Sequence, residues 1–215
     1  MYLHLGAGVG IVRAMRVTGG TLRGRLVKVP RGDSVRPTQD RVRQALFSSL
    51  VARIPGCRFL DLFAGSGSVG LEAWSRGAAY ICWVESDAKT FKVLGENLQT
   101  LCGGVDGGAE EQGWRAVRSD GVRFAESALR GAPYDVIFAD PPYDRRGERG
   151  WARKLMGAIA GSGLLAKDGI FVLEQATDEP DERHWAWELV MDKEYGGTRL
   201  RGYRGTGRGE LRIKN

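Results

Sequence analysis

The sequence predicts an α/β fold, a doubly wound and mostly parallel Rossmann-like sheet with helices on both faces. Three observations carry this expectation. Short apolar runs alternate with amphipathic stretches from Arg58 to Leu173, the pattern of strands joined by crossover helices. Arg58–Leu62 leads through Phe63-Ala64-Gly65-Ser66-Gly67-Ser68 into the helical spacing Val69, Leu71, Ala73, Trp74, so a strand, a glycine-rich turn and a helix follow without a break. Finally, Asp61, Glu85, Asp120 and Asp140 each close an apolar run. They fall at the carboxyl ends of strands, where sheets of this kind bind ligands.

Taken in order, Met1–Ala14 reads as a flexible extension, because Gly6, Gly8 and Gly10 follow no strand. Met15–Thr18 and Leu26–Val29 read as short strands joined by Gly19–Arg25 into a small basic hairpin, ended by Pro30 and Gly32. Arg36-Pro37-Thr38 starts a helix with Thr38 as N-cap and Asp40 in the first turn. Val42, Ala45, Leu46 and Leu50 share its packing face, and Arg41 and Arg43 point away from it. Beyond the glycine-rich turn, Tyr80–Val84 is a buried strand ending in Glu85, and Ala88–Leu98 is an amphipathic helix. After a Gly103–Gly113 loop come strand Trp114–Arg118, helix Val122–Leu129, strand Tyr134–Ala139, helix Trp151–Ala160 and strand Ile170–Leu173. Trp185–Tyr203 reads as two further strands turned at Gly196-Gly197.

A chain of 215 residues can bury one good core. No run is apolar enough to span a membrane, and the first ten residues lack the basic start and apolar core of a signal peptide, so a cytoplasmic protein is expected. Cys57, Cys82 and Cys102 form no C-x-x-C pair, and with only two histidines no metal site is expected. The net charge of +6 is unevenly spread. Residues 1–58 hold eleven Lys/Arg against two acids, residues 59–194 fifteen against twenty-three, and residues 195–215 six against one. An acidic middle with basic flanks suggests a catalytic unit whose flanks meet a polyanion.

Gly65-Ser66-Gly67-Ser68-Val69-Gly70 is literally G-x-G-x-x-G, which raises a nicotinamide-dependent oxidoreductase as an alternative. Asp61 argues against it. A carboxylate before the loop would repel a pyrophosphate, whereas it suits the ammonium and sulfonium of S-adenosylmethionine. Glu85 is placed to accept from ribose hydroxyls. Asp140-Pro141-Pro142-Tyr143 is the most specific signal. An exocyclic amino group is a poor nucleophile until two acceptors hold its hydrogens; the Asp140 carboxylate and the Pro141 carbonyl can supply them, while the prolines fix the backbone. Tyr143 offers a face on which an unpaired base can stack.

These residues resemble the class I S-adenosylmethionine-dependent amino-methyltransferases. Together with Gly19-Gly20-Thr21-Leu22-Arg23-Gly24-Arg25 and Arg36-Pro37-Thr38-Gln39-Asp40-Arg41-Val42-Arg43, they are similar to the bacterial 16S ribosomal RNA guanine-N2 methyltransferases of the small-subunit methyltransferase D type. The resemblance spans about Met15 to Tyr203 and implies a seven-stranded sheet. It implies that Asp61, Phe63, Ala64, Gly65, Gly67, Glu85, Ser86, Asp120 and Gly121 surround S-adenosylmethionine, and that Asp140, Pro141, Pro142 and Tyr143 hold the target amino group. It further implies that 16S rRNA, in the small ribosomal subunit or an assembly intermediate, meets Arg23, Arg25, Arg36, Thr38, Arg41 and Arg43. Residues 15–57 are then the RNA-facing hairpin and helix, 58–203 the methyltransferase domain and 204–215 a basic tail. Gln44 departs from the Glu usual in the family. A DNA adenine-N6 methyltransferase is the alternative within the class, since the same acceptors serve that amino group, and a non-catalytic RNA-binding protein is a third possibility.

Overall fold

The computed structural model of the protein describes residues 14–30, 37–103, 113–127 and 133–207, with the side chains of residues 37–39 outside the described set. In chain order the elements are β1 (Ala14–Arg16), β2 (Leu26–Lys28), α1 (Pro37–Ser49), β3 (Arg58–Leu62), α2 (Ser68–Ser75), β4 (Tyr80–Glu85), α3 (Ala88–Cys102), β5 (Trp114–Arg118), α4 (Gly121–Ser127), β6 (Tyr134–Ala139), α5 (Trp151–Ser162), β7 (Leu165–Ala176), β8 (Trp187–Tyr195) and β9 (Thr198–Gly205). Strands β3 to β9 form one sheet in the order β5-β4-β3-β6-β7-β9-β8, parallel except where β9 pairs with β7 and β8. The chain winds one way from β3 to β4 and the other way to β6, which makes the carboxyl end of β3 the switch point at which such sheets bind ligands.

The central strands are apolar on both faces because both are covered. Phe59, Trp83, Phe138 and Val172 pack with α1, α2 and α3, while Leu60, Leu62, Ile137 and Leu173 pack with α4 and α5. Strand β7 is longer than its apolar run, since its pairing with β9 continues to Ala176 and a register shift before Val136 admits Leu165. Helix α1 begins at Pro37, one residue before the expected cap, so Thr38 lies in the first turn. Proline suits that position because its fixed φ is helical and its missing N–H had no partner to lose. The expected 103–113 loop lies outside the described residues except at its ends.

The antiparallel β1–β2 hairpin is part of the main core. Met15, Val17, Val27 and Val29 are buried in one cluster with Phe59, Trp83 and Leu94. Its turn is bonded to the end of α2: the Ser75 hydroxyl donates to Gly19 O (2.6 Å) and accepts from the Leu22 N–H (2.8 Å), and the Thr21 N–H donates to Ser75 O (2.8 Å). Gly20 has φ 76°, and a Cβ there would lie 1.8 Å from Ser75 O. The second glycine of Gly19–Arg25 is therefore a packing requirement.

Among the described residues, no helix is long and apolar enough to cross a membrane, and no group of three His, Cys, Asp or Glu could hold a metal ion.

Candidate active site

Strand β3 delivers Asp61 to the switch point. Its side chain is buried, with Oδ2 accepting the Gly70 N–H from the first turn of α2 at 2.9 Å. Burial pushes the Asp61 carboxyl up to about 7; the Gly70 bond opposes this, and Asp140 and Glu85 add to it. Two residues on, Phe63 has φ 75°, the one positive φ outside glycine among the described residues. Such a conformation costs of order 1–3 kcal/mol and persists only where its surroundings impose it. Here they do: the Phe63 and Ala64 N–H groups both donate to Val84 O (3.0 and 2.9 Å), and the Phe63 ring stands edge-on to Trp151 at 5.7 Å.

The loop glycines serve different ends. A Cβ at Gly67 would meet Leu94 Cδ1 at 2.5 Å, and one at Gly70 would meet Trp83 Nε1 at 2.1 Å, so both are small for the sake of packing α2 between α3 and β4. Gly65 differs from both. Its φ is 55°, a Cβ there would meet nothing within 4 Å, and it lines a cavity.

That cavity, of about 320 Å³, has one wall from the β3–α2 segment (Asp61, Phe63, Ala64, Gly65, Ser66, Ser68, Val69). Phe138 and Asp140 come from the end of β6, Glu174 from β7, and Met15, Val29, Arg43 and Leu46 from the hairpin and α1. Gly67, Glu85, Ser86, Asp120 and Gly121 stand outside this lining. Glu85 accepts from the Gly65 N–H (2.9 Å) and the Asp87 N–H (2.7 Å), with Ser86 Oγ at 3.5 Å from it. Asp120 accepts from the Arg123 N–H at 2.9 Å, capping α4, and Gly121 packs under Phe63, whose ring a Cβ would approach to 2.9 Å.

Asp140 makes no hydrogen bond or ion pair among the described residues. Encirclement by protein pushes its carboxyl up to about 7, with negative Glu179 as the second cause, but the side chain stays open to solvent, and hydration there works against that rise. Pro141 is buried and Pro142 exposed. Tyr143 is 42% exposed, with its hydroxyl 3.0 Å from Thr198 Oγ1 and the Arg145 guanidinium 5.9 Å from its ring, so the phenol end is anchored and the ring presented.

Sequence reasoning missed three acids here. Asp144 Oδ2 accepts the Arg149 and Gly150 N–H groups (2.9 and 2.7 Å), and Glu179 Oε1 accepts those of Asp144 (3.0 Å) and Ala176 (3.1 Å), which ties the Asp140–Tyr143 segment to the end of β7. Glu174 follows Ile170–Leu173 just as Asp140 follows its own apolar run, and that signal could have found it.

Of the cations expected to meet RNA, Arg23, Arg25 and Arg41 are exposed, while Arg36 and the Thr38 side chain lie outside the described residues. Arg43 is a correction. It points inward, 4% exposed, with Nη2 donating to Arg16 O (2.7 Å) and Asp40 (2.9 Å) and Nε 3.5 Å from Glu72. The helix buries two sides: Val42, Leu46 and Leu50 lie in the core, and Arg43 and Phe47 are covered as well because the hairpin and α2 close over them.

A family model described as Conserved hypothetical protein 95 matches residues 15–204. The chain is 34% identical over 208 residues to Ribosomal RNA small subunit methyltransferase D of Escherichia coli (strain K12), covering 96% of each. It is 33% identical over 196 residues to YlbH of Bacillus subtilis (strain 168), covering 90% of this chain and all of that one. Among solved structures, Escherichia coli yhhF matches with a TM-score of 0.73 at 34% identity, over 90% of this chain and 98% of that one. A hypothetical protein from Thermus thermophilus matches with a TM-score of 0.68 at 34% identity, over 88% of this chain and 99% of that one.

Proposed function

The chain belongs to the Conserved hypothetical protein 95 family, with ribosomal RNA small subunit methyltransferase D among its relatives, and from that premise we propose that it methylates the exocyclic N2 amino group of a guanine in 16S ribosomal RNA, using S-adenosylmethionine. The observation that carries the reading is Asp140, a carboxylate with no partner among the described residues, in one cavity with Asp61 and the open face of Gly65.

The residues present fit the cofactor. Asp61 and Asp140 bring carboxylates to a site where an ammonium and a sulfonium would be favoured and a pyrophosphate opposed, and the space over Gly65 is large enough to admit a ligand against the backbone. Asp61 would hold the ammonium, Glu85 the ribose, and Phe63, Ala64, Gly67, Ser86, Asp120 and Gly121 the remaining surroundings. Bound S-adenosylmethionine would supply a methyl group already carried on a sulfonium leaving group. Asp140 accepts one N2 hydrogen and the Pro141 carbonyl the other, which turns the nitrogen lone pair out of the ring. The surplus proton passes from nitrogen to an Asp140 Oδ and then to solvent. A carboxyl raised above its ordinary value is a stronger base than a free aspartate, which suits that transfer. Tyr143 stacks the extruded guanine. Arg23, Arg25 and Arg41, with Arg36 and Thr38, meet the RNA backbone of the small subunit or an assembly intermediate, and the protein works in the cytoplasm.

The test is mass spectrometry of nucleosides from small-subunit RNA incubated with the protein, together with single-turnover rates. Asp140→Ala should lose roughly a hundredfold or more, the usual cost of a polar group positioned for the transition state. Tyr143→Phe, which keeps the ring, should stay well above Tyr143→Ala. Methyladenine in DNA, with no N2-methylguanine in rRNA, would sink the reading.

A further inference from the structure

Glu174 is the one carboxylate of the cavity wall to which the reaction above assigns no task. The parallel register pairs Phe138 with Val172 and Ala139 with Leu173, so the next residues, Asp140 and Glu174, stand side by side at the ends of adjacent strands. Paired residues of a parallel ladder face the same way. Phe138 and Val172 lie in the core beneath α1 to α3, Ala139 and Leu173 in the opposite one, and so Asp140 and Glu174 both return to the cavity side. Adjacent strands lie about 4.8 Å apart, which lets two carboxylates address neighbouring N–H groups on one edge of a base. Glu174 makes no hydrogen bond or ion pair among the described residues, although its backbone is held in the ladder opposite Leu200.

We propose that Glu174 selects guanine by accepting the N1–H while Asp140 accepts from the N2 amino group beside it. The proposal rests on the guanine-N2 reading and adds the residue that enforces it. Guanine offers adjacent donors at N1 and N2. Adenine, and 2-aminopurine, which keeps the 2-amino group, present a lone pair at N1 and would set it against the Glu174 carboxylate. A site built to accept a hydrogen bond rejects the analogue that lacks the hydrogen, because its own half-buried acceptor is left facing a lone pair. Burial and then Asp140 hold the Glu174 carboxyl well above the usual carboxylate range in the free protein, and the guanine N1–H, by donating to it, favours the ionised, accepting form on binding.

The experiment uses the full chain and small-subunit particles reconstituted with 16S rRNA carrying either guanine or 2-aminopurine at the methylated position. Wild type should favour guanine by at least a hundredfold in kcat/KM. Glu174→Gln, whose amide can donate to N1, should shrink that ratio at least tenfold, and Glu174→Asp should keep more of it than Gln does. Melting curves and S-adenosylmethionine binding confirm that each variant is folded. A wild-type enzyme that methylates 2-aminopurine as fast as guanine would overturn the proposal without any variant, as would an unchanged ratio in Glu174→Gln. Absence of methylation on the guanine particle itself would instead overturn the function on which the proposal rests.

Discussion

Replacing Glu72 should release the N-terminal hairpin from the catalytic core. Its side chain is fully buried in α2 and accepts the Thr18 N–H and the Thr18 hydroxyl at 2.7 Å each, as well as Arg76 Nε at 2.9 Å, with Arg43 Nε at 3.5 Å. One carboxylate thus joins the end of β1, helix α1 and helix α2. In Glu72→Ala, Arg43 is left buried with Asp40 as its remaining acidic partner, and two polar groups of Thr18 face a void. Removing one partner of a buried ion pair costs about 3–5 kcal/mol, and the Asp40 contact at 2.9 Å places this case near the lower end. In a domain of this size 1 kcal/mol moves Tm by about 2–4 °C, so the melting point should fall by roughly 6–12 °C. Trypsin should then cut faster at Arg23 and Arg25 than global unfolding allows. Denaturant melts combined with timed proteolysis measure both. A loss under about 1 kcal/mol, or a hairpin still as resistant as in the wild type, would refute the view that Glu72 is the tether.

Gly20→Ala should undock the hairpin turn, since its Cβ would meet backbone at Ser75, whereas Gly24→Ala, at φ 86° with open space, should cost only the local strain of about 1 kcal/mol; equal Tm losses would contradict the packing account. Neutralising Arg23, Arg25 and Arg41 together should weaken RNA binding and flatten its salt dependence while leaving cofactor affinity unchanged, as measured by binding titrations at two or more salt concentrations.

Most of the sheet was legible because periodicity and burial agree in it. Trp114–Arg118 and Tyr134–Ala139 are strands with the expected ends, and the switch point follows from the order of elements. What pattern could not show was which side of a residue would be covered. Arg43 and Phe47 are four apart on a stripe that reads as polar at one position and apolar at the next, and only the docking of the hairpin and α2 over that stripe decides that both are buried. The same holds for the glycines. Their spacing predicts a turn, but whether the absent Cβ leaves open space, as at Gly65, or makes room for Leu94 and Trp83, as at Gly67 and Gly70, depends on neighbours far away in sequence. Glu179 escaped notice for a related reason, since it acts on Asp144 across a gap of thirty-five residues.

The arrangement of acids leads to one more expectation, in which stability and affinity run in opposite directions with pH. Asp61 is 1% exposed with its carboxyl at about 7, above the 3.8 of the unfolded chain. A raised acid pKa means that the folded state holds the extra proton between those values, so stability falls as pH rises from about 4 to 7 and the penalty of the buried charge is complete above 7. A cationic ligand reverses the preference, because it favours the ionised carboxylate and must displace that proton. For one group of pKa 7, S-adenosylmethionine affinity should weaken roughly tenfold between pH 7.5 and 6. Asp140, open to water, should add less. Acidifying the protein alone over that range should therefore raise its melting point, while the further rise produced by a fixed concentration of ligand should shrink. Asp61→Asn should abolish most of both trends. Differential scanning fluorimetry across the pH series, with and without ligand, reads the two slopes together. Ligand affinity that is constant over this window, or a melting point that falls on acidification in step with the Asn variant, would mean that Asp61 is not the buried charge on which the cation acts.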